Sequence, residues 1–193
     1  FIYFSGSAQK QQVSKTPNRP NIIVFLVDDM GWQDTSVPFW TKTTELNKRY
    51  HTPNMERLAK DGMKFTNAYA TPVCTPTRIS MLTGMNTTKH GVTNWTSPKK
   101  DTNSEQKDEQ MESASWMING LSPIPNILKT VYATPFPKLL KEAGYFTVHV
   151  GKAHWASMGT PGANPYNLGF MVNVSGHAAG HPQSYLGKDN YGN

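Results

Sequence analysis

Three small groups of side chains in this sequence are of types that do chemistry together. Asp28 and Asp29 are adjacent carboxylates at the end of an apolar run, in "NIIVFLVDDMGW". Two carboxylates placed there repel each other and lose hydration, unless a hard cation with oxygen ligands lies between them. Lys152 and His154 stand two residues apart in "YFTVHVGKAHW". On an extended chain that spacing points both the same way, and an ammonium beside an imidazole can hold an anion and move a proton. Cys74 is the single cysteine of the chain, in "TPVCTPTRISMLTG". It directly precedes a predicted helix, whose first-turn N–H groups can receive a tetrahedral anion. Taken singly, each group also has a plain structural role open to it. The Asp pair can be a helix cap with a solvated neighbour, Lys152 a surface charge, His154 a hydrogen-bonded loop residue and Cys74 a buried thiol.

The elements that must position these groups follow one pattern. Residues 22–27 are continuously apolar and rich in β-branched types, as expected of a strand buried on both faces of a parallel sheet. Thr52 and Pro53 read as N-cap and first residue of a helix with Met55, Leu58 and Ala59 on one face and Gly62 as its stop. "MKFTNAYA" alternates like a short strand, and the segment after Cys74 reads as a helix ending near Gly84. Thr134 and Pro135 then open another helix through Leu139 and Leu140, Gly144 closes it, and "YFTVHVGK" forms the next strand. Strand alternating with helix predicts an α/β sandwich with a mostly parallel sheet. Residues 96–115 are polar and charged and read as a surface loop or insertion. The region from Asn164 onward reads as loop, with one short strand around residues 170–174.

Composition removes other classes. Apolar residues make up 37% of the 193, so the chain can bury a core and is not of disordered type. The net charge of +6 suits an anionic small substrate or glycan. The Lys and Arg residues are scattered rather than striped, which argues against a nucleic-acid partner. No apolar run approaches the roughly 20 residues of a membrane helix, so no membrane span is expected. A single Cys leaves no intrachain disulfide. The start, "FIYFSGSA", passes from aromatic to small residues, like the tail of a secretory signal, and predicts a secreted or periplasmic protein.

In combination, Cys74, Pro76 and Arg78, followed by Leu82-Thr83-Gly84, resemble the signature of the type I, formylglycine-dependent sulfatases of the alkaline-phosphatase-like superfamily. "RPNIIVFLVDDMGW" resembles the family's first strand with its calcium-binding Asp pair. "GKAHW" resembles its Gly-Lys-Trp-His segment, with Ala153 where Trp is commonest. The three motifs run in the family's order across residues 20–155.

The resemblance implies a three-layer α/β sandwich and a sulfuric ester hydrolase, and the signal-like start favours sulfated carbohydrate over steroid or lipid as its substrate. The resemblance also implies that a maturation enzyme oxidises Cys74 to formylglycine, and that one calcium ion is held by Asp28, Asp29 and residue 74. The hydrated aldehyde would attack sulfur in line, and its second hydroxyl would expel the bound sulfate, which an ordinary Ser or Cys cannot do. Lys152 would offset charge on the sulfuryl oxygens, Arg78 would hold the network around residue 74, and His154 would hydrogen-bond near the nucleophile.

The implied domain plan is a signal remnant and tail at residues 1–19, then the N-terminal part of the catalytic domain at 20–193. Calcium takes six or more oxygens, which two Asp residues do not fill. Asp189-Asn190 is not the family's second acidic pair, because Gly187-Lys188 rather than a buried strand precedes it. The expectation is therefore an incomplete chain, inactive by itself. His177 and His181 read as loop-surface residues. Two alternatives stay open: a phosphonate or phosphate ester hydrolase of the same superfamily, and a non-catalytic relic of the fold.

Overall fold

A computed structural model describes residues 19–104, 108–181, 184 and 186–192. The signal-like start lies outside the described residues. The chain divides into two compact units, residues 1–63 and 64–193.

In the first unit, helix α1 spans Pro53–Asp61, with Thr52 at its N-cap and Gly62 at its C-cap, as the sequence predicts. The Thr52 hydroxyl does not cap the helix. It accepts instead from the Ser36 N–H at 3.1 Å and pairs with the Thr35 hydroxyl at 2.9 Å. Asn47 completes this polar knot, donating to the Thr35 carbonyl at 2.8 Å and accepting from the Thr44 N–H at 3.0 Å. Buried hydroxyls and amides therefore satisfy one another, as they must when removed from water. Residues 22–27 form no strand, and Ile23 and Phe25 are each 87% exposed. A pattern that signals burial on both faces becomes a strand only when neighbouring strands pair with it, and among the described residues none does.

The second unit carries helix α2, Cys74–Thr83, helix α3, Thr87–His90, and helix α4, Phe136–Glu142. Its strands are β1, Leu121–Ser122, β2, Val131–Tyr132, β3, Val148–Val150, and β4, Val172–Val174. Helix α2 ends as predicted, at Gly84 in the left-handed conformation with φ 68°. Pro76 falls in its first turn, where the missing N–H has no intrahelical partner to lose. Helix α4 starts one residue later than expected, with Pro135 itself as N-cap. The alternating segment at residues 63–70 forms no strand.

Both strand pairs are parallel, β1 with β2 and β3 with β4, the latter in the register Val148↔Val172, His149↔Asn173 and Val150↔Val174. Two parallel strand pairs, with helix α4 between them in the chain, form part of an α/β architecture, in agreement with the sequence. Among the described residues, no helix is long and apolar enough to cross a membrane.

The core of this unit joins Ile79 and Leu82 of α2 to Val92, Leu121, Ala153, Trp155, Leu168 and Phe170. The rings of Trp155 and Phe170 stack with centroids 5.7 Å apart. Packing also fixes Gly162, because a Cβ there would lie 1.8 Å from the Leu121 carbonyl oxygen. That oxygen belongs to backbone and cannot swing aside. Gly162→Ala is therefore expected to lower stability by about 3 kcal/mol or more, read as a shift in the urea midpoint. An unchanged midpoint would show that this contact yields.

Candidate active site

Helix α2 opens with Cys74, half-buried, after Val73 in extended conformation. The loop before it is pinned by Thr77, whose hydroxyl donates to the Thr71 carbonyl and accepts from the Thr71 N–H, both at 3.1 Å. Residue 74 thus sits on a fixed N-terminus, where N–H groups without intrahelical partners favour negative charge.

Lys152 comes to this corner from far along the sequence. Its Nζ donates to Cys74 Sγ at 3.1 Å, and the Arg78 guanidinium, one turn into α2 and buried, donates to the Lys152 carbonyl at 2.7 Å. Arg78 so anchors the backbone that delivers the ammonium. An anion attached at residue 74 would meet one positive charge directly and a second just behind it.

His154 is buried nearby but does not share Lys152's direction. Strand β3 ends at Val150, and Gly151 (φ 96°) and His154 (φ 52°) both lie in the left-handed region. The extended path that would have aligned the two side chains is therefore broken. Contacts that hold His154 include Nε2 with the Thr96 carbonyl at 2.9 Å, its backbone N–H donating to the His177 carbonyl at 3.1 Å, and its ring 6.2 Å from that of Trp95. Thr96 in turn donates its N–H to Thr75 Oγ1 at 3.0 Å. His154 and residue 74 are thus linked through Thr75 and Thr96, two residues that the sequence reading did not single out.

Asp28 and Asp29 belong to the first unit, where they form a turn with Asp29 at φ 57°. Both carboxylates are exposed. The turn is followed by a loop closed by Asp34, which accepts from the Gly31 N–H at 2.8 Å and from the Tyr50 hydroxyl at 3.0 Å. Adjacent carboxylates at a tight turn are hard oxygen donors and fit calcium in kind, though not in number. His177 accepts the Ala179 N–H on Nδ1, at 3.0 Å. The Asp189 carboxylate accepts from the Ser184 hydroxyl, at 2.9 Å, within a short 3₁₀ turn.

Two further histidines escaped the sequence reading. His90 accepts the Val92 N–H on Nδ1 at 3.1 Å, so its proton belongs on Nε2, which faces the Ser80 hydroxyl at 3.0 Å. A ring protonated on that side cannot take a proton from Ser80, so the pair locks α2 to α3 rather than forming a nucleophile. The helix stop at Gly91 and the N-cap at Asn86 were the legible signals for this turn. His149 packs edge-on against Trp155 at 4.8 Å and faces Asn173 Oδ1 at 3.1 Å.

Burial lowers the pKa of both rings below the ordinary 6.5, and the Arg78 charge adds to the effect at His149. Well above pH 6.5 both rings are neutral, folded or unfolded, and their stabilising contribution is complete. Below it the unfolded chain takes up protons before the folded one, so stability falls. The urea midpoint is expected to be lower at pH 5.5 than at pH 7.5, and His149→Gln should flatten the difference. A midpoint that rises on acidification would contradict this.

Similarity to known proteins decides the family. The sulfatase family model matches residues 20–184. The chain belongs to the sulfatase family. Membership brings the alkaline-phosphatase-like α/β fold, of which the parallel strands and helices here form part. The chain is 34% identical over 161 residues to an uncharacterised sulfatase of Schizosaccharomyces pombe, covering 83% of this chain and 24% of that protein. It is 32% identical over 158 residues to the human N-acetylgalactosamine-6-sulfatase, covering 81% and 25%. A sulfatase of Formosa agariphila is 33% identical over 181 residues, covering 91% and 30%. This sulfatase chain therefore spans only a quarter to a third of the length of these relatives.

Proposed function

We propose that the protein to which this chain belongs hydrolyses sulfate esters, on sulfated carbohydrate, at residue 74. The observation that carries this reading is the Lys152 ammonium 3.1 Å from Cys74 Sγ at the start of α2, with Arg78 bonded behind it. A sulfuryl group transferred to residue 74 carries negative charge on its non-bridging oxygens. Fixed positive charge and helix N–H groups in a partly water-excluded corner lower the barrier by stabilising that charge.

The family context supports conversion of Cys74 to formylglycine by a maturation enzyme. The modified side chain supplies a nucleophile with two oxygens on one carbon, in place of a thiol. Asp28, Asp29 and residue 74 would hold one calcium ion, which supplies Lewis-acid charge to the sulfate when bound. Lys152 binds the anion, Arg78 orients Lys152, and His154 keeps the neighbouring wall in place through Thr96. The carbohydrate reading is supported by the human relative, whose name is that of an N-acetylgalactosamine-6-sulfatase. The signal-like pattern of residues 1–8 supports a secreted or periplasmic setting.

The test is the rate on 4-nitrophenyl sulfate against that on 4-nitrophenyl phosphate, with the full-length protein. A sulfate rate well above the phosphate rate is expected. The reverse ratio would transfer the reading to phosphate or phosphonate esters.

A further inference from the structure

Strand β3 turns its polar residue towards the core. Val148 and Val150 are 48% and 69% exposed, while His149 between them is half-buried against Trp155 and Phe170, with ring centroids 4.8 Å and 5.2 Å away. An apolar side chain would fill that space without needing hydrogen-bond partners. What the imidazole is bonded to therefore decides its role.

One partner is Asn173, paired with His149 in the β3–β4 register. The turn after β4 fixes the Asn173 amide: Nδ2 donates to the Gly176 carbonyl at 2.9 Å, and Oδ1 accepts the Gly176 N–H at 3.1 Å. The atom facing His149 Nδ1, at 3.1 Å, is thus an acceptor, and the ring is the donor. A second partner is the Lys152 backbone. Burial, the larger effect, lowers the pKa of the ring; the bond to Lys152 works the other way and favours the charged ring, so the backbone group is the carbonyl. The neutral ring divides one N–H between these two acceptors.

The Lys152 carbonyl is also the group to which Arg78 donates at 2.7 Å. It has two lone pairs and can accept from a guanidinium on α2 and an imidazole on β3 together. Just before it, the Gly151 N–H donates to the Val174 carbonyl at 2.8 Å, where the chain bends out of β3. From this held peptide the Lys152 Nζ reaches Cys74 Sγ at 3.1 Å. A flexible four-carbon stem returns its ammonium to one place only if the backbone beneath it is fixed.

We propose that His149 is a positioning residue for Lys152, holding the carbonyl that Arg78 also holds and so keeping the ammonium beside residue 74; this rests on the sulfatase reading of that corner. His149 itself touches no reacting atom. Its effect on an anion at the site passes through Lys152.

A double-mutant cycle on binding of inorganic sulfate by the full-length protein tests this, with dissociation constants from titration calorimetry. Lys152→Met should weaken sulfate about tenfold or more, and His149→Leu about two- to tenfold, the worth of one hydrogen bond. His149→Gln should recover most of that loss, since its amide can donate to the same carbonyl. In the Lys152→Met background, His149→Leu should change binding less than about twofold. A side chain that only fills the core would have the same effect with or without the ammonium. Leucine leaves Asn173 Oδ1 bonded to Gly176 and the Lys152 carbonyl bonded to Arg78, so the variant is expected to fold, which circular dichroism checks. His149→Met, which also lacks a donor, replaces it if leucine disturbs the core. The proposal is overturned if the parent does not bind sulfate, if the donorless variants bind as the parent does, or if their effect is equal in both backgrounds. Hydrolysis of 4-nitrophenyl sulfate is followed in parallel. Its absence counts against the sulfatase reading, while the cycle still decides the role of His149.

Discussion

Cys74→Ser is expected to lower turnover of the full-length protein by at least about 10⁴-fold, the scale seen when a nucleophile is removed, while leaving the fold intact. Cys and Ser are close in volume, and the side chain is half-buried at a helix start, so stability should change by less than about 1 kcal/mol. The chemistry has no such tolerance. A maturation enzyme that oxidises a thiol cannot make the aldehyde from a hydroxyl. A serine that attacked sulfur once would carry a sulfate ester with no second oxygen on the same carbon to expel it. The variant should therefore be inactive, with a sulfated serine at position 74 accumulating in stoichiometric amount. Near-normal rates from a variant carrying an unmodified serine would sink the role assigned to residue 74.

Lys152→Met is expected to lower kcat by about 10²–10³-fold, as removal of one preorganised donor to a developing anion does. The substitution keeps the length of the side chain and removes its charge. The Arg78 bond to the residue 152 carbonyl is to backbone, so it survives the change. The loss should fall on kcat more than on KM if the ammonium acts chiefly in the transition state. Steady-state rates on 4-nitrophenyl sulfate decide it, and an unchanged kcat would show that Lys152 only fills space.

Helix α2 was legible because its signals are local: Pro76 in the first turn, Ile79 and Leu82 on the inner face, and Gly84 as the stop. Strand β3 was legible from its apolar run, yet its end was not. The sequence does not announce that Gly151 and His154 take positive φ, and this sends Lys152 towards residue 74 and His154 towards Thr96. Strands β1 and β2 are two residues each, too short to leave a periodic trace. Residues 22–27 show the opposite failure, since a strong pattern meets no partner strand among the described residues.

The 3.1 Å approach of Lys152 to Cys74 bridges 78 positions, a distance that no local pattern spans. It was accessible in the sequence only through resemblance to a family whose motifs occur in that order. Thr75 and Thr96 were missed because threonines carry no spacing signature, and only the fold brings them between residue 74 and His154.

The most direct test is the mass of the peptide containing residue 74, taken from the full-length protein purified from its native host. Oxidation of the thiol to the aldehyde lowers that mass by about 18 units relative to the encoded cysteine, a covalent change independent of any assay. A predominant peptide at the lowered mass is expected. A peptide carrying only unmodified Cys74, from a preparation that turns over sulfate esters, would contradict the account.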